Sequence, residues 1–285
     1  MIARGDPEWP IELDELGPHR PVDRLFVEGL PLDPEAMRVA IVGTRRPTYS
    51  GIEAAARIAT GLVEAGFVIV SGMAVGIDTV AHKSALDAAG RTVGVLGCGL
   101  DVGYPARNRT LRRAIARGGT LLTEYPDGTQ PLKQHFPMRN RIIAGLSLGV
   151  VVIEGSIRSG ALVTARLALD ANRNVYALPG SARNPMAEGP NELIRRGQAA
   201  LVTGVEHILD DLAPSLVWRD RAATEPAPDL NEMELNVLST LDDAPVPPDT
   251  IVARLELKPG RLAVTLAALE VRGLVARVPG GYVRV

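Results

Sequence analysis

From Arg38 to about Leu212 the chain repeats one rhythm: a short apolar run, a glycine, an amphipathic stretch of roughly three to four helical turns, another glycine, and the next apolar run. The apolar runs at residues 39–42, 67–70, 92–96, 120–122, 150–153, 175–178 and 200–202 read as strands. Most are continuously apolar instead of alternating, the pattern of strands covered on both faces of a parallel sheet. Between them, helices predicted at 52–65, 77–89 and 109–117 run into Gly66, Gly90 and Gly118, the residue type that accepts the left-handed C-cap. Further helices are expected at 138–146, 161–171, 191–196 and 205–212. The pattern predicts an α/β fold over 38–212: a Rossmann-like open, mostly parallel sheet with helices on both faces.

The flanks read differently. Residues 1–37 are Pro-rich and weakly patterned, an N-terminal extension with no readable fold. Residues 213–229 hold three prolines, Trp218 and scattered charges without periodicity, and read as a linker. Residues 230–285 predict helices at 231–241, 249–255 and 261–272, then a Val-rich hairpin turning at Gly280 and Gly281: a small winged-helix domain. A single cysteine, Cys98, makes neither an internal disulfide nor a cysteine-based zinc cage. The longest apolar run is far short of the ~18 residues that span a bilayer, and the N-terminus is acidic. The expectation is a cytoplasmic protein without membrane contact, metal or cofactor.

Charge is uneven along the chain. The net charge is −2, yet residues 101–196 carry 14 Lys and Arg against 7 Asp and Glu, whereas 206–256 carry 3 against 12. A basic middle and an acidic stretch are either a polyanion site with a screening or partner-facing appendage, or two solvated faces.

In an open parallel sheet, ligands sit at the carboxyl ends of the strands, where glycine turns admit close approach and helix N-termini present free N–H groups. Three such turns stand out: Gly43, Thr44, Arg45 and Arg46; Ser71 and Gly72; and the stretch from Glu154 through Ser159 and Gly160 to Thr164. Small residues, hydroxyls, backbone donors and arginine suit phosphate, although glycine at strand ends is also ordinary α/β punctuation. Neither G-x-G-x-x-G nor G-x-x-x-x-G-K-[ST] occurs, so dinucleotide binding and P-loop hydrolysis lack their signatures. A fourth segment packs Lys133, Phe136, Arg139, Asn140 and Arg141 into nine residues of a chain with 4% aromatic content. Read as a loop before a helix, it pairs phosphate neutralisation with base stacking by Phe136, the economy of single-strand binding; the alternative is a ring anchoring the loop. About four phosphates neutralised per protomer would give a salt slope near −3.

Catalytic signatures are scarce. There is no H-E-x-x-H or G-x-S-x-G, and His19, His82, His135 and His207 have no ligand spacing. His82 and His207 read as helix-surface or capping residues, Cys98 as a packed thiol, Asp78 and Glu154 as capping or bracing groups.

The motifs GTRRPTYSG, SGMAVGIDTVAH, LGCGLDVGYP, FPMRNRIIAGLS, SGALVTA and VYALPG, in this order over residues 39–201, resemble the DNA-processing protein A (DprA/Smf) family. The resemblance implies a Rossmann-type domain that binds single-stranded DNA non-catalytically, forms a homodimer and helps load the RecA recombinase in natural transformation. It places Arg45, Lys133 and Phe136 at DNA contacts. Thr44 stands where serine is commoner, and the helical domain that often precedes this unit has no counterpart in the first 37 residues. The expected reading helix of the winged domain, 261–272, carries two arginines and one glutamate, a weak groove reader. Two other readings remain. One is a nucleotide phosphoribohydrolase of the LONELY GUY type, whose P-G-G-x-G-T-x-x-E signature is missing. The other is a duplex-DNA regulator acting through the winged helix.

Overall fold

The computed structural model describes residues 1–16, 21–212, 230–241, 245–255, 257–272, 274–278 and 280–284. They form two compact units, one up to Leu212 and one from Leu230; the linker expected at 213–229 lies outside the described residues.

In chain order the first unit comprises β1 (Ile2–Ala3), β2 (Arg24–Gly29), β3 (Arg38–Val42), α1 (Tyr49–Glu64), β4 (Val68–Ser71), α2 (Ile77–Asp87), β5 (Thr92–Val95), α3 (Arg109–Gly118), β6 (Thr120–Thr123) and α4 (His135–Gly145). It continues through β7 (Gly149–Val152), α5 (Gly160–Asp170), β8 (Asn174–Ala177), α6 (Glu188–Arg195), β9 (Ala200–Leu201) and α7 (Glu206–Leu212). The strands form one sheet in the order β1-β2-β6-β5-β4-β3-β7-β8-β9, and every pairing from β6 to β9 is parallel. Because successive strand residues point to opposite faces, Ala40, Val42, Val150 and Val152 pack toward Ile142 of α4 and Ala165 of α5, whereas Val39, Ile41 and Val151 pack toward Ile58 of α1, Ala81 of α2 and Ile208 of α7. Two cores, one on each side, explain the continuously apolar strands.

The N-terminal extension is no appendage. β2 pairs antiparallel with β6, β1 pairs with β2, and Trp9, Leu13 and Leu25 are buried in the main core. Arg38 at the start of β3 is fully buried, donating to Glu12 Oε1 at 3.1 Å and to the Asp33 carbonyl. The pairing partner of β2 lies far along the chain, so no local pattern announced this strand.

His82 also departs from expectation. It is fully buried on α2, its Nδ1 lies 2.7 Å from Thr92 Oγ1, and that hydroxyl donates to the Ile69 carbonyl at 2.8 Å. Nδ1 is therefore the donor, and burial, with Arg139 nearby, pushes the imidazole pKa down to about 3.

The second unit comprises α8 (Glu232–Ser239), α9 (Pro248–Leu255), α10 (Pro259–Val271), β10 (Val275–Val278) and β11 (Gly281–Arg284). Asn231 and Glu234 close a capping box at the start of α8. Val237, Ile251, Leu262, Leu266 and Val275 meet in one core, and β10 pairs antiparallel with β11. Gly280 holds φ +100° at the hairpin turn, and a Cβ on Gly281 would meet the Val246 carbonyl oxygen at 2.2 Å. Three helices and a hairpin make this unit a winged helix.

Candidate nucleic-acid interface

From β3 the strand order runs one way to β4, β5 and β6 and the other way to β7, β8 and β9, so it reverses between β3 and β7. The crevice outside their carboxyl ends is where an open α/β sheet takes its ligand. The turns after these two strands are tied together by Glu154. Its carbonyl accepts from Thr44 N at 2.7 Å, its carboxylate accepts from Thr48 N at 2.9 Å and Thr48 Oγ1 at 2.6 Å, and Asn184 Nδ2 donates to it at 3.2 Å. Thr48 Oγ1 also caps α1 by accepting from Gly51 N, and Ser159 Oγ caps α5 by accepting from Leu162 N. After β4, the Asp78 carboxylate accepts from Gly72 N and Ala74 N at 3.1 and 3.2 Å, while Asn108 Nδ2 donates to the Met73 and Ala74 carbonyls. Gly76 holds φ +92° there, and a Cβ would meet Thr44 O at 2.3 Å. The bracing roles expected for Glu154 and Asp78 thus have their partners.

An open cleft of ≈ 980 Å³ lies over this switch point. Gly43, Thr44, Arg45, Arg46, Lys133, Phe136, Arg139, Asn140, Ser159, Gly160 and Thr164 all line it. Arg45, Arg46 and Lys133 are exposed. The Phe136 ring is half-buried against Gly97, with its centroid 5.6 Å from that of Tyr104 and 6.0 Å from the Arg45 guanidinium carbon. Cations and ring faces therefore meet within one hollow.

Five of the expected site residues need correction. Phe136 does not sit in a loop before a helix, because α4 begins at His135 and carries the ring on its first turn. Arg139 is buried, donating to the Gly72 carbonyl at 2.6 Å, to the Val95 carbonyl and to Asn140 Oδ1; burial, opposed by Asp78, pushes its pKa down to about 10. Arg141 leaves the cleft altogether, pairing with Glu124 at 2.5 Å and donating to the Pro21 carbonyl at 3.2 Å. Ser71 is fully buried with its hydroxyl on the Ile41 carbonyl, and Thr164, also buried, donates to the Gly160 carbonyl. Gly72 lines an adjoining hollow of ≈ 50 Å³ beside Arg45, Phe136 and Arg139. Sequence reasoning missed Tyr104, which is 38% exposed and lines the same cleft. Its signal was present: an aromatic among glycines just beyond β5, at the carboxyl rim.

The model for DNA recombination-mediator protein A matches residues 1–213, and that for the DprA winged helix domain matches residues 221–281. The chain belongs to the DprA/Smf family. Protein Smf of Escherichia coli is 41% identical over 266 residues, covering 91% of this chain and 71% of that protein. DNA processing protein DprA of Bacillus subtilis is 42% identical over 203 residues, 71% of this chain and 67% of its own length. Among solved structures, DprA of Streptococcus pneumoniae superposes with a TM-score of 0.70 at 42% identity, covering 74% of this chain and 73% of that one. DprA of Helicobacter pylori, whose structure addresses its single-stranded-DNA binding mode, gives 0.66 at 32% identity, covering 73% and 94%. DprA/Smf membership accounts for the mostly parallel sheet and the C-terminal winged helix together. Among the described residues no helix is long and apolar enough to cross a membrane.

Proposed function

We propose that this DprA/Smf protein binds single-stranded DNA in the switch-point cleft without altering it covalently, protects the strand and helps load the RecA recombinase onto it, acting as a homodimer in the cytoplasm. The observation that carries the DNA reading is the convergence of three exposed cations, Arg45, Arg46 and Lys133, with the rings of Phe136 and Tyr104 on one open cleft. Cations neutralise phosphates whatever the sequence, and an aromatic face accepts any base. The single-stranded-DNA binding mode described for the Helicobacter pylori protein supports the same choice of ligand. The RecA, dimer and non-catalytic parts of the proposal rest on family resemblance.

Within this reading the site residues divide by what they touch. Gly43, Thr44, Ser159 and Gly160 bring backbone and hydroxyl groups to the strand, and the three exposed cations take phosphates. Gly72, Ser71, Arg139, Asn140 and Thr164 hold the floor, and Arg141 braces α4 from behind.

The test is a titration with labelled single-stranded and duplex oligonucleotides across a salt series. Three cations on phosphates predict a slope of log affinity against log salt near −2 for single strands short enough to occupy the cleft alone, at about −0.7 per contact. This is shallower than the −3 expected when Arg139 and Arg141 counted as free. Arg45→Glu and Lys133→Glu are expected to remove most of the binding. Salt-independent binding, or reversals without effect, would refute the cleft as the binding site.

A further inference from the structure

The helix α3 carries a feature the cleft does not use. Between Asp101 and Glu124 the chain has five arginines and no carboxylate. One of them, Arg112, is turned inward, donating to the Val102 carbonyl at 2.5 Å and to the Leu100 carbonyl and reaching Glu28 at 3.3 Å. Arg107, Arg109, Arg113 and Arg117 are exposed and form no ion pair among the described residues. Arg109, Arg113 and Arg117 follow one another at i, i+4 and i+8, so they stand on one face of the helix.

That arrangement works against the helix. Like charges four residues apart repel by a few tenths of a kcal/mol per pair, and arginine in the first turn opposes the positive end of the macrodipole. α3 folds nonetheless because Leu111 and Ile115 on its other face are buried with Met73, Leu96 and Leu121. The outer face is left as an unneutralised row of cations.

Its position indicates what the row is for. The N-terminal end of α3 is joined to the cleft by five residues: Tyr104 lines the cleft, and the chain passes through Pro105 to Asn108 into Arg109. The Arg109 guanidinium sits within 3.8 Å of where a Cβ on Gly103 would lie, directly beside that tyrosine in the chain. From there α3 descends antiparallel to the strands, away from the rim. Successive arginines on the face are separated by about 6 Å of helix rise, on the scale of neighbouring phosphates in an extended strand.

We infer that the arginine row Arg109, Arg113 and Arg117, entered past Tyr104 and Arg107, is a second contact surface for the same single-stranded DNA, guiding the strand out of the cleft and down the outside of the sheet. The inference rests on the proposed cleft function, and its test separates the two. The full-length protein is titrated with oligothymidylates of about 6 and about 25 nucleotides, the shorter filling only a single site, across a salt series. The triple variant Arg109→Gln, Arg113→Gln, Arg117→Gln is expected to bind the short strand as the parent does. It should bind the long strand at least about tenfold more weakly, with a salt slope shallower by about 2. Its thermal midpoint should be unchanged or higher, because repulsion is removed. Long-strand binding and slope equal to the parent's would overturn the inference and leave the row a solvated face. Equal losses on both lengths would overturn it as well, since that is the signature of a disturbed cleft. Loss of both lengths by Arg45→Glu alone supports the cleft, whereas an inactive cleft with an active row would refute the cleft and not the row.

Discussion

Within the nine residues from Lys133 to Arg141, side chains of the same formal charge perform opposite tasks. Lys133 stands exposed at the mouth of the cleft, whereas Arg139 and Arg141 are 5% and 4% exposed. Arg139 donates to the Gly72 and Val95 carbonyls and to Asn140, and Arg141 commits one nitrogen to the Pro21 carbonyl and Glu124 while its Nε and Nη1 are buried without a partner among the described residues. A guanidinium taken out of water is tolerable only when it finds partners. Once it has, the charge holds the scaffold and is no longer available to a ligand. Arg45 and Arg46, on a turn held from beneath by Glu154, keep theirs.

The sharpest way to break this comparison is to truncate one residue of each kind. Arg139→Ala strips the Gly72 and Val95 carbonyls of a buried donor and leaves Asp78 without its nearby cation, a loss of about 3–5 kcal/mol by denaturant unfolding. Arg45→Ala should stay within about 0.5 kcal/mol of the parent while weakening single-strand binding. Equal stability for the two would erase the distinction.

A second test concerns the buried base His82. Its pKa is about 3 in the folded protein against about 6.5 in the unfolded chain, so the unfolded state takes up the proton first as pH falls. This contribution is fully present above pH 6.5 and declines by about 1.4 kcal/mol per pH unit as acidity increases toward pH 3. Unfolding series at pH 7 and 4.5 should show a steeper loss for the parent than for His82→Gln; parallel losses would contradict a neutral buried imidazole.

Smaller effects sharpen the cleft itself. Phe136→Ala should cost roughly 1–3 kcal/mol of single-strand affinity if a base stacks on that ring, measured by fluorescence anisotropy with Phe136→Tyr as the conservative control. Arg46→Gln should change least, making the salt slope shallower by about 0.7 with little change in stability. A slope identical to the parent's would take Arg46 off the phosphates.

Much of this was legible in the chain. The strands β3, β4, β5, β7 and β8 came from apolar runs, and the turns at Gly43, Ser71 and Glu154 from their small and polar residues, because both are local patterns set by backbone geometry. β2 was invisible because its partner β6 is distant in sequence and its own run is short and mixed, RLFVEG, with two charged positions. Tyr104 was overlooked for a related reason: it lies between Gly103 and Pro105 with no basic neighbour closer than Arg107, and only the fold sets it beside Phe136.

What the amino-acid order determined alone is the alternation of strand and helix, the chemistry of the turns at the carboxyl rim, and the two-part layout of sheet unit and winged helix. Periodicity and glycine placement act over a few residues and need no distant partner. Tertiary structure decided which arginines are free and which are bound, that an uncharged histidine lies in the core, and that the N-terminal residues complete the sheet. Burial belongs to contacts between residues far apart in the chain, and it is burial that determines whether a charge holds the protein together or is left for a ligand.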